Sequence, residues 1–345
     1  MPHTDTGHYK MLQQPQHKAS GPPQILLGIL VFTAVIFPQI YQPSLNSLWH
    51  YLYHSPFYNR SFFETVFTMA SYIFAEPLYT YKFIHNPALR IDVRSQKTEK
   101  GRWVLPKMKR PTKRLGEFLT YAAPLFCMDL VMVKKFADVP LEHIVLSAGY
   151  PIDYMVQHSG NTTSSHANIS PTFLLPSLHN FSWKSPLQLT RALPPVPPTS
   201  RRLVCELAAA FFIYDTLFFF AHLAFHRVKP LAQMHEPHHK HTEMHPQVTN
   251  KLSVGERLTL IMLANFALNI IKAHAFTRTC FIPVFVYLFI EVHCGMDLPW
   301  GYDKWLPAGW GSGAKAHAHH HRTGRGTYAP FFGWWDAGYN ELIGA

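Results

Sequence analysis

Residues 203–239 read LVCELAAAFFIYDTLFFFAHLAFHRVKPLAQMHEPHH. The first half, 203–221, is apolar enough and near enough in length to span a bilayer as a helix. The second half spaces its histidines. His222 and His226 lie four apart, and His235, His238 and His239 follow at i, i+3 and i+4, so on helices each set shares a face. Pro237 predicts that a helix restarts there, with the proline in its first turn. A span that runs directly into metal-type ligands predicts an all-α integral membrane protein with a histidine-rich cap at one boundary.

The rest of the 345-residue chain agrees. It is 48% hydrophobic, 14% aromatic and only 15% charged, against about 25% charged in an ordinary soluble chain. Four cysteines without a CxxC pair exclude a cysteine-based zinc module and a disulfide framework, so any metal must sit on nitrogen and oxygen. The net charge of +11 reads as cytosolic basic residues of a membrane protein and not as a nucleic-acid surface. Residues 1–23 are polar and aperiodic, a disordered tail whose His3, His8 and His17 are solvated. Apolar segments at 24–41, 62–80, 117–133 and 203–221, with a hairpin over 258–292 broken near KAHAFTRTC, predict about four transmembrane helices plus a re-entrant or spanning pair.

Charge sets the orientation. The loop 82–114 is dense in Lys and Arg, which places it in the cytosol. The segment 135–202, rich in Pro, Ser and Thr, is then a lumenal insert without chemistry of its own, with N-x-S/T sequons at Asn161, Asn168 and Asn180. The N-terminal helices occupy 24–134, and the histidine-bearing domain 203–345 faces the cytosol apart from its hairpin.

A further set, His317, His320 and His321, closes the pattern, and His293 stands alone at the cytosolic end of the hairpin. All-imidazole sites suit iron, zinc, copper or nickel. Nine or ten donors are too many for one ion and match two. Asp215, seven residues before His222 on the same helical face, is a candidate to orient an imidazole. His241, His245 and His319 fall outside the spacing, and His274 sits at the hairpin turn, away from the site. Glu236 within HEPHH invites comparison with HExxH proteases, but Pro237 is expected to break the helix that motif requires.

The order of HxxxH (His222, His226), HxxHH (His235, His238, His239), a single His in EVHCGMD (His293) and HxxHH (His317, His320, His321) resembles the fatty acid hydroxylase/sterol desaturase superfamily. SPFY, LSVGERL, VHCGMDLPW and APFFGWWD are similar to its sterol-hydroxylating branch. The likeness is firmest over about 203–345, reaches more loosely to about residue 45, and skips an insert near 145–195. The resemblance implies a di-iron oxygenase of the endoplasmic reticulum membrane, in which the nine box histidines bind two Fe ions (or Zn in overexpressed protein). Asp297 falls where some relatives carry a further ligand. O2 is the implied co-substrate and a lipid, a sterol by preference, the substrate. Cytochrome b5 or an NAD(P)H-linked reductase supplies electrons, since no nicotinamide fingerprint is present. Fatty acid or sphingolipid hydroxylation and sterol desaturation are the alternatives within the superfamily. A non-catalytic metal-binding membrane protein or a transporter is the alternative outside it, although a transporter would place ionisable residues along a path through its spans.

Overall fold

The computed structural model describes residues 21–91, 114–132, 136–151, 153, 183–241 and 243–343. The sequons at Asn161, Asn168 and Asn180, the tail 1–20 and most of the basic loop lie outside the described residues. Among the described residues there are helices and isolated bridges, and no β-strand.

Helix α1 (Gly21–Ile36) starts within the expected tail, with Pro22 and Pro23 in its first turn, where proline removes a backbone N–H that needs no partner. It ends earlier than the expected 24–41 span, because Phe37 leaves helical geometry ahead of a 3-10 turn at Pro38–Ile40. Helix α2 (Gln42–Tyr53) leads to α3 (Phe63–His85), followed by α4 (Arg114–Val131). Helix α5 (Leu141–Ser147) lies within the stretch 135–202.

Helix α6 (Ser200–Arg227) takes up the decisive stretch, capped at its start by Thr199, whose hydroxyl accepts from the Arg202 N–H. Val228 is extended, and α7 (Lys229–His239) begins with Pro230 in its first turn. The expected restart at Pro237 is therefore wrong. The restart proline is Pro230, and Pro237 lies inside the last turns of α7. A proline so near a helix C-terminus removes a single i→i−4 bond, and the short helix accommodates it.

The hairpin is two helices, α8 (Val254–Ile270) and α9 (Ala275–His293), joined by a turn in which Lys272 has φ 50°. The break falls at the start of the expected stretch, over residues 271–274, and Ala275–Cys280 already belongs to α9. His274 caps α9, its Nδ1 accepting from the Phe276 N–H. Helices α10 (Tyr302–Trp305), α11 (Gly313–Thr323) and α12 (Trp334–Leu342) complete the chain.

By length and composition α6 and α9 qualify as membrane spans, and shorter apolar helices cover 24–36 and 122–131. These fit a membrane protein. Polar contacts join α3 to α9. Arg278 donates to both oxygens of Glu64 near the start of the two helices, and Tyr79 donates to Glu291 near their ends. Matching ends meet, so α3 and α9 run parallel. Helix α6 packs on α1, α7 and α8, and its Tyr214 and Phe218 join Phe289 of α9 and Phe331 in an aromatic core with residues of α8.

Candidate metal centre

Helices α6, α7, α9 and α11 bring all nine box histidines to one place. They fall into two groups. His222, His226, His235, His239 and His320 form one, and His238, His293, His317 and His321 the other; within each, one nitrogen per residue lies within 4.8 Å of all the others. The division cuts across the sequence boxes. Pairs four apart (222/226, 235/239, 317/321) stay together. The third member of each HxxHH set, His238 or His320, turns to the other group, because neighbouring helix positions point about 100° apart.

The hydrogen bonds decide where the protons are. His222 Nδ1 lies 2.8 Å from the Tyr328 carbonyl, His320 Nδ1 2.6 Å from the Gly326 carbonyl and His293 Nδ1 2.7 Å from the Phe289 carbonyl. A carbonyl only accepts, so each Nδ1 carries the hydrogen and each Nε2 presents a lone pair. Yet His222 Nε2 faces His320 Nε2 at 3.2 Å, and His293 Nε2 faces His317 Nε2 at 3.0 Å and His238 Nε2 at 3.3 Å. Between His222 and His320 two lone pairs point at each other with no proton to share. An added proton would be costly there: burial first, then the His239 and His226 imidazoles, hold His320 well below the usual histidine range. Burial likewise depresses His238, His317 and His321. Converging neutral imidazole lone pairs fit a divalent cation. Nδ1 of His238, His317 and His321 has no hydrogen-bond partner among the described residues.

Surrounding groups fix these rings. Asp336 accepts from the Tyr328 and Ala329 N–H groups, which secures the carbonyl that holds His222. Gly324 (φ 65°) ends α11 by donating to the His320 carbonyl, a left-handed cap that favours glycine. Sequence reasoning missed Glu256. Its Oε1 lies 2.7 Å from His235 Nδ1, with both side chains buried. Burial pushes Glu256 up to about 8 and draws His235 down to about 2. A cation on the far nitrogen of His235 would favour the ionised carboxylate, the carboxylate–histidine–metal arrangement. The available signal was S-x-x-E at Ser253 and Glu256, which reads as a helix cap; Ser253 does accept from the Glu256 N–H.

Other candidates stand elsewhere. The Asp297 carboxylate is taken by Lys315 at 2.5 Å and Lys304 at 3.5 Å, outside both histidine groups. Asp215 accepts from the Phe331 and Phe332 N–H groups, and so anchors the segment after α11 instead of orienting an imidazole. His241 meets Lys251 at 3.2 Å. His274 lies the length of α9 away, about 28 Å from His293 at 1.5 Å per residue. Glu236 is exposed and pairs with Lys240, so it faces away from the histidines. That orientation, and not a helix break at Pro237, removes the protease reading.

Known proteins are similar to this chain in sequence. The family model described as fatty acid hydroxylase matches residues 207–340. A cholesterol 25-hydroxylase-like protein of Danio rerio is 33% identical over 226 residues, which cover 65% of this chain and 86% of that protein. Cholesterol 25-hydroxylase of Rattus norvegicus is 30% identical over 42% of this chain and 49% of its own length. The C-4 methylsterol oxidase erg25 of Schizosaccharomyces pombe is 28% identical over 41% of this chain and 48% of its own length. No solved structure matches the chain.

Proposed function

The chain belongs to the fatty acid hydroxylase family, and from that premise we propose that it is a membrane-bound di-iron oxygenase that hydroxylates a sterol. The observation that carries the proposal is the pair of histidine groups with lone pairs turned toward each other. His222, His226, His235, His239 and His320 would hold one iron, and His238, His293, His317 and His321 the other. Bound iron would supply the activation of O2 needed to hydroxylate an unactivated C–H bond. The overall change consumes O2, two electrons and two protons and yields the alcohol and water.

The protein's own part is to orient and to exclude. Backbone carbonyls of Phe289, Gly326 and Tyr328 hold three imidazoles in the Nδ1–H form, so their Nε2 atoms stay available without reorganisation. Glu256 does the same for His235 and supplies negative charge beside a cationic centre. Phe218 packs on His222 and Phe289 on His293, each with ring centroids 5.2 Å apart, and these rings close the centre against water on that side.

The reading includes residence in the endoplasmic reticulum membrane, multiple passes and a cytosolic metal centre that receives electrons from cytochrome b5 or an NAD(P)H-linked reductase. The relatives whose names specify sterols favour a sterol over a fatty acid or sphingolipid. Mass spectrometry of lipids from cells gaining or losing this protein tests the function. A new hydroxysterol that disappears with His317→Ala is the expected result; unchanged oxidised lipids despite correctly inserted, metal-loaded protein would overturn it.

A further inference from the structure

A cavity of about 310 Å³ lies between α3, α4, α8 and α9. Most of its wall is apolar, and Phe289 connects it to the histidines. The Phe289 ring centroid is 5.2 Å from that of His293 and 6.4 Å from that of Phe218, whose own ring is 5.2 Å from His222. A second cavity, about 120 Å³, shares Thr68, Leu125 and Ile261 with the first as common walls. Its character is different. Arg278, Glu64, Asn265 and Asn269 line it, bound to one another: the Arg278 guanidinium donates to Glu64 Oε2 at 2.9 Å, Asn265 Oδ1 at 2.7 Å and Asn269 Oδ1 at 3.1 Å. Arg278 and Phe289 are eleven residues apart on α9, about 16 Å at the rise of a helix.

Resting on the oxygenase reading above, we propose that the two cavities form one substrate chamber with a polar pole and a reactive pole. The Arg278–Glu64–Asn265–Asn269 cluster takes the hydroxyl of an uncharged lipid alcohol, and the apolar compartment directs the opposite end of its skeleton past Phe289 to the metal centre. Oxidation then falls on carbons remote from the hydroxyl. Attack on a carbon beside the hydroxyl would require the lipid to enter the other way round.

Two observations select an uncharged head. The acids Glu64, Glu76 and Asp129 on the chamber walls stand against the bases Arg257 and Arg278, with Arg191 also paired to Glu64 at 3.0 Å, so the formal charges balance. A carboxylate or phosphate head would lose its hydration and add an unbalanced charge. A hydroxyl both donates and accepts, so it can bond to the amides and the carboxylate without adding charge. The separation of the poles makes the second selection. A short amphiphile held at Arg278 does not reach Phe289, whereas an extended sterol skeleton with its side chain is of the required length.

The test uses the full chain in lipid nanodiscs, with its reductase for turnover and without it for binding. The probes are a sterol with a free hydroxyl, its methyl ether, and a photoreactive sterol whose crosslinks are mapped by peptide mass spectrometry. Wild-type protein is expected to oxidise the side-chain end and to show a KM about tenfold lower for the alcohol than for the ether, the value of one buried hydrogen bond. Asn265→Leu removes one member of the polar pole and should erase that discrimination, the KM for the alcohol rising to that for the ether, with metal content retained. Ile261→Trp fills the shared wall and should abolish crosslinking within α3 and α8. Equal KM values for alcohol and ether in wild-type protein, or oxidation beside the hydroxyl, would overturn the proposal. Crosslinks confined to other helices while hydroxysterol still forms would remove the chamber and leave the oxygenase standing. Crosslinks within the chamber, with no lipid oxidised by metal-loaded protein, would keep the chamber and remove the oxygenase.

Discussion

Glu256→Ala isolates what holds the centre in register. The carboxylate lies 2.7 Å from His235 Nδ1, and the two side chains are 4% and 5% exposed. The substitution deletes a charge-assisted hydrogen bond, worth about 1.5–3 kcal/mol, and leaves a buried N–H without a partner. Groups in this position typically account for about 10–100-fold in metal affinity, which agrees with that energy at roughly 1.4 kcal/mol per decade. Chelator competition on purified protein, read by metal retained per chain, should therefore show a weakening on the order of 10–100-fold. Glu256→Gln keeps an acceptor without the charge and should fall between. Ser253→Ala supplies the control: it removes the hydroxyl that accepts from the Glu256 N–H and should lower stability by about 1 kcal/mol with no change in metal affinity. In a His235→Ala background the Glu256 substitution should cost almost nothing more, since the two act as a unit. Full additivity of the two substitutions, or unaltered affinity in Glu256→Ala, would refute the assignment.

Asp297→Ala should retain the full metal content, because its carboxylate is engaged by Lys304 and Lys315; loss of metal in that variant would return Asp297 to the ligand set. His274→Ala should lower thermal stability by about 1–2 kcal/mol through loss of the cap and of the bond to the Val196 carbonyl, with metal retained; a metal-depleted but equally stable variant would contradict its placement. Protease treatment of sealed microsomes should leave 135–202 intact and cleave 82–114, as the basic loop implies. Cleavage of 135–202 from outside would invert the topology and move the metal centre to the lumen.

The histidine boxes and the apolar segments were legible because each follows a local period, and local periods survive in sequence. The partition of the nine histidines was not. His238 and His239 are neighbours in the chain, yet they belong to different groups, since one helix step rotates the side chain by about 100°. Which group each joins depends on where α9 and α11 lie, and that is a tertiary fact. Glu256 was hidden for a related reason. Its position three residues after Ser253 already has a local meaning as a helix cap, and its second partner, His235, lies 21 residues earlier in the chain. Asp215 illustrates the opposite error. Its helical phase with His222 is as expected, but two backbone N–H groups from Phe331 and Phe332 reach it first. Pro237 was overweighted because the penalty for proline belongs to helix interiors, and α7 is nearly over when it occurs. The polar cluster around Arg278 joins α3, α8 and α9, so no single segment of sequence displays it.

The number of metal ions per chain tests the central claim most directly. Protein purified from membranes under mild conditions, quantified by amino-acid analysis and elemental mass spectrometry, should carry close to two ions, iron or substituted zinc. The paired substitution His293→Ala with His317→Ala, which empties half of the second histidine group, should bring this to about one while the first group keeps its ion. A folded, fully active wild-type protein with one ion or none would contradict the dinuclear account.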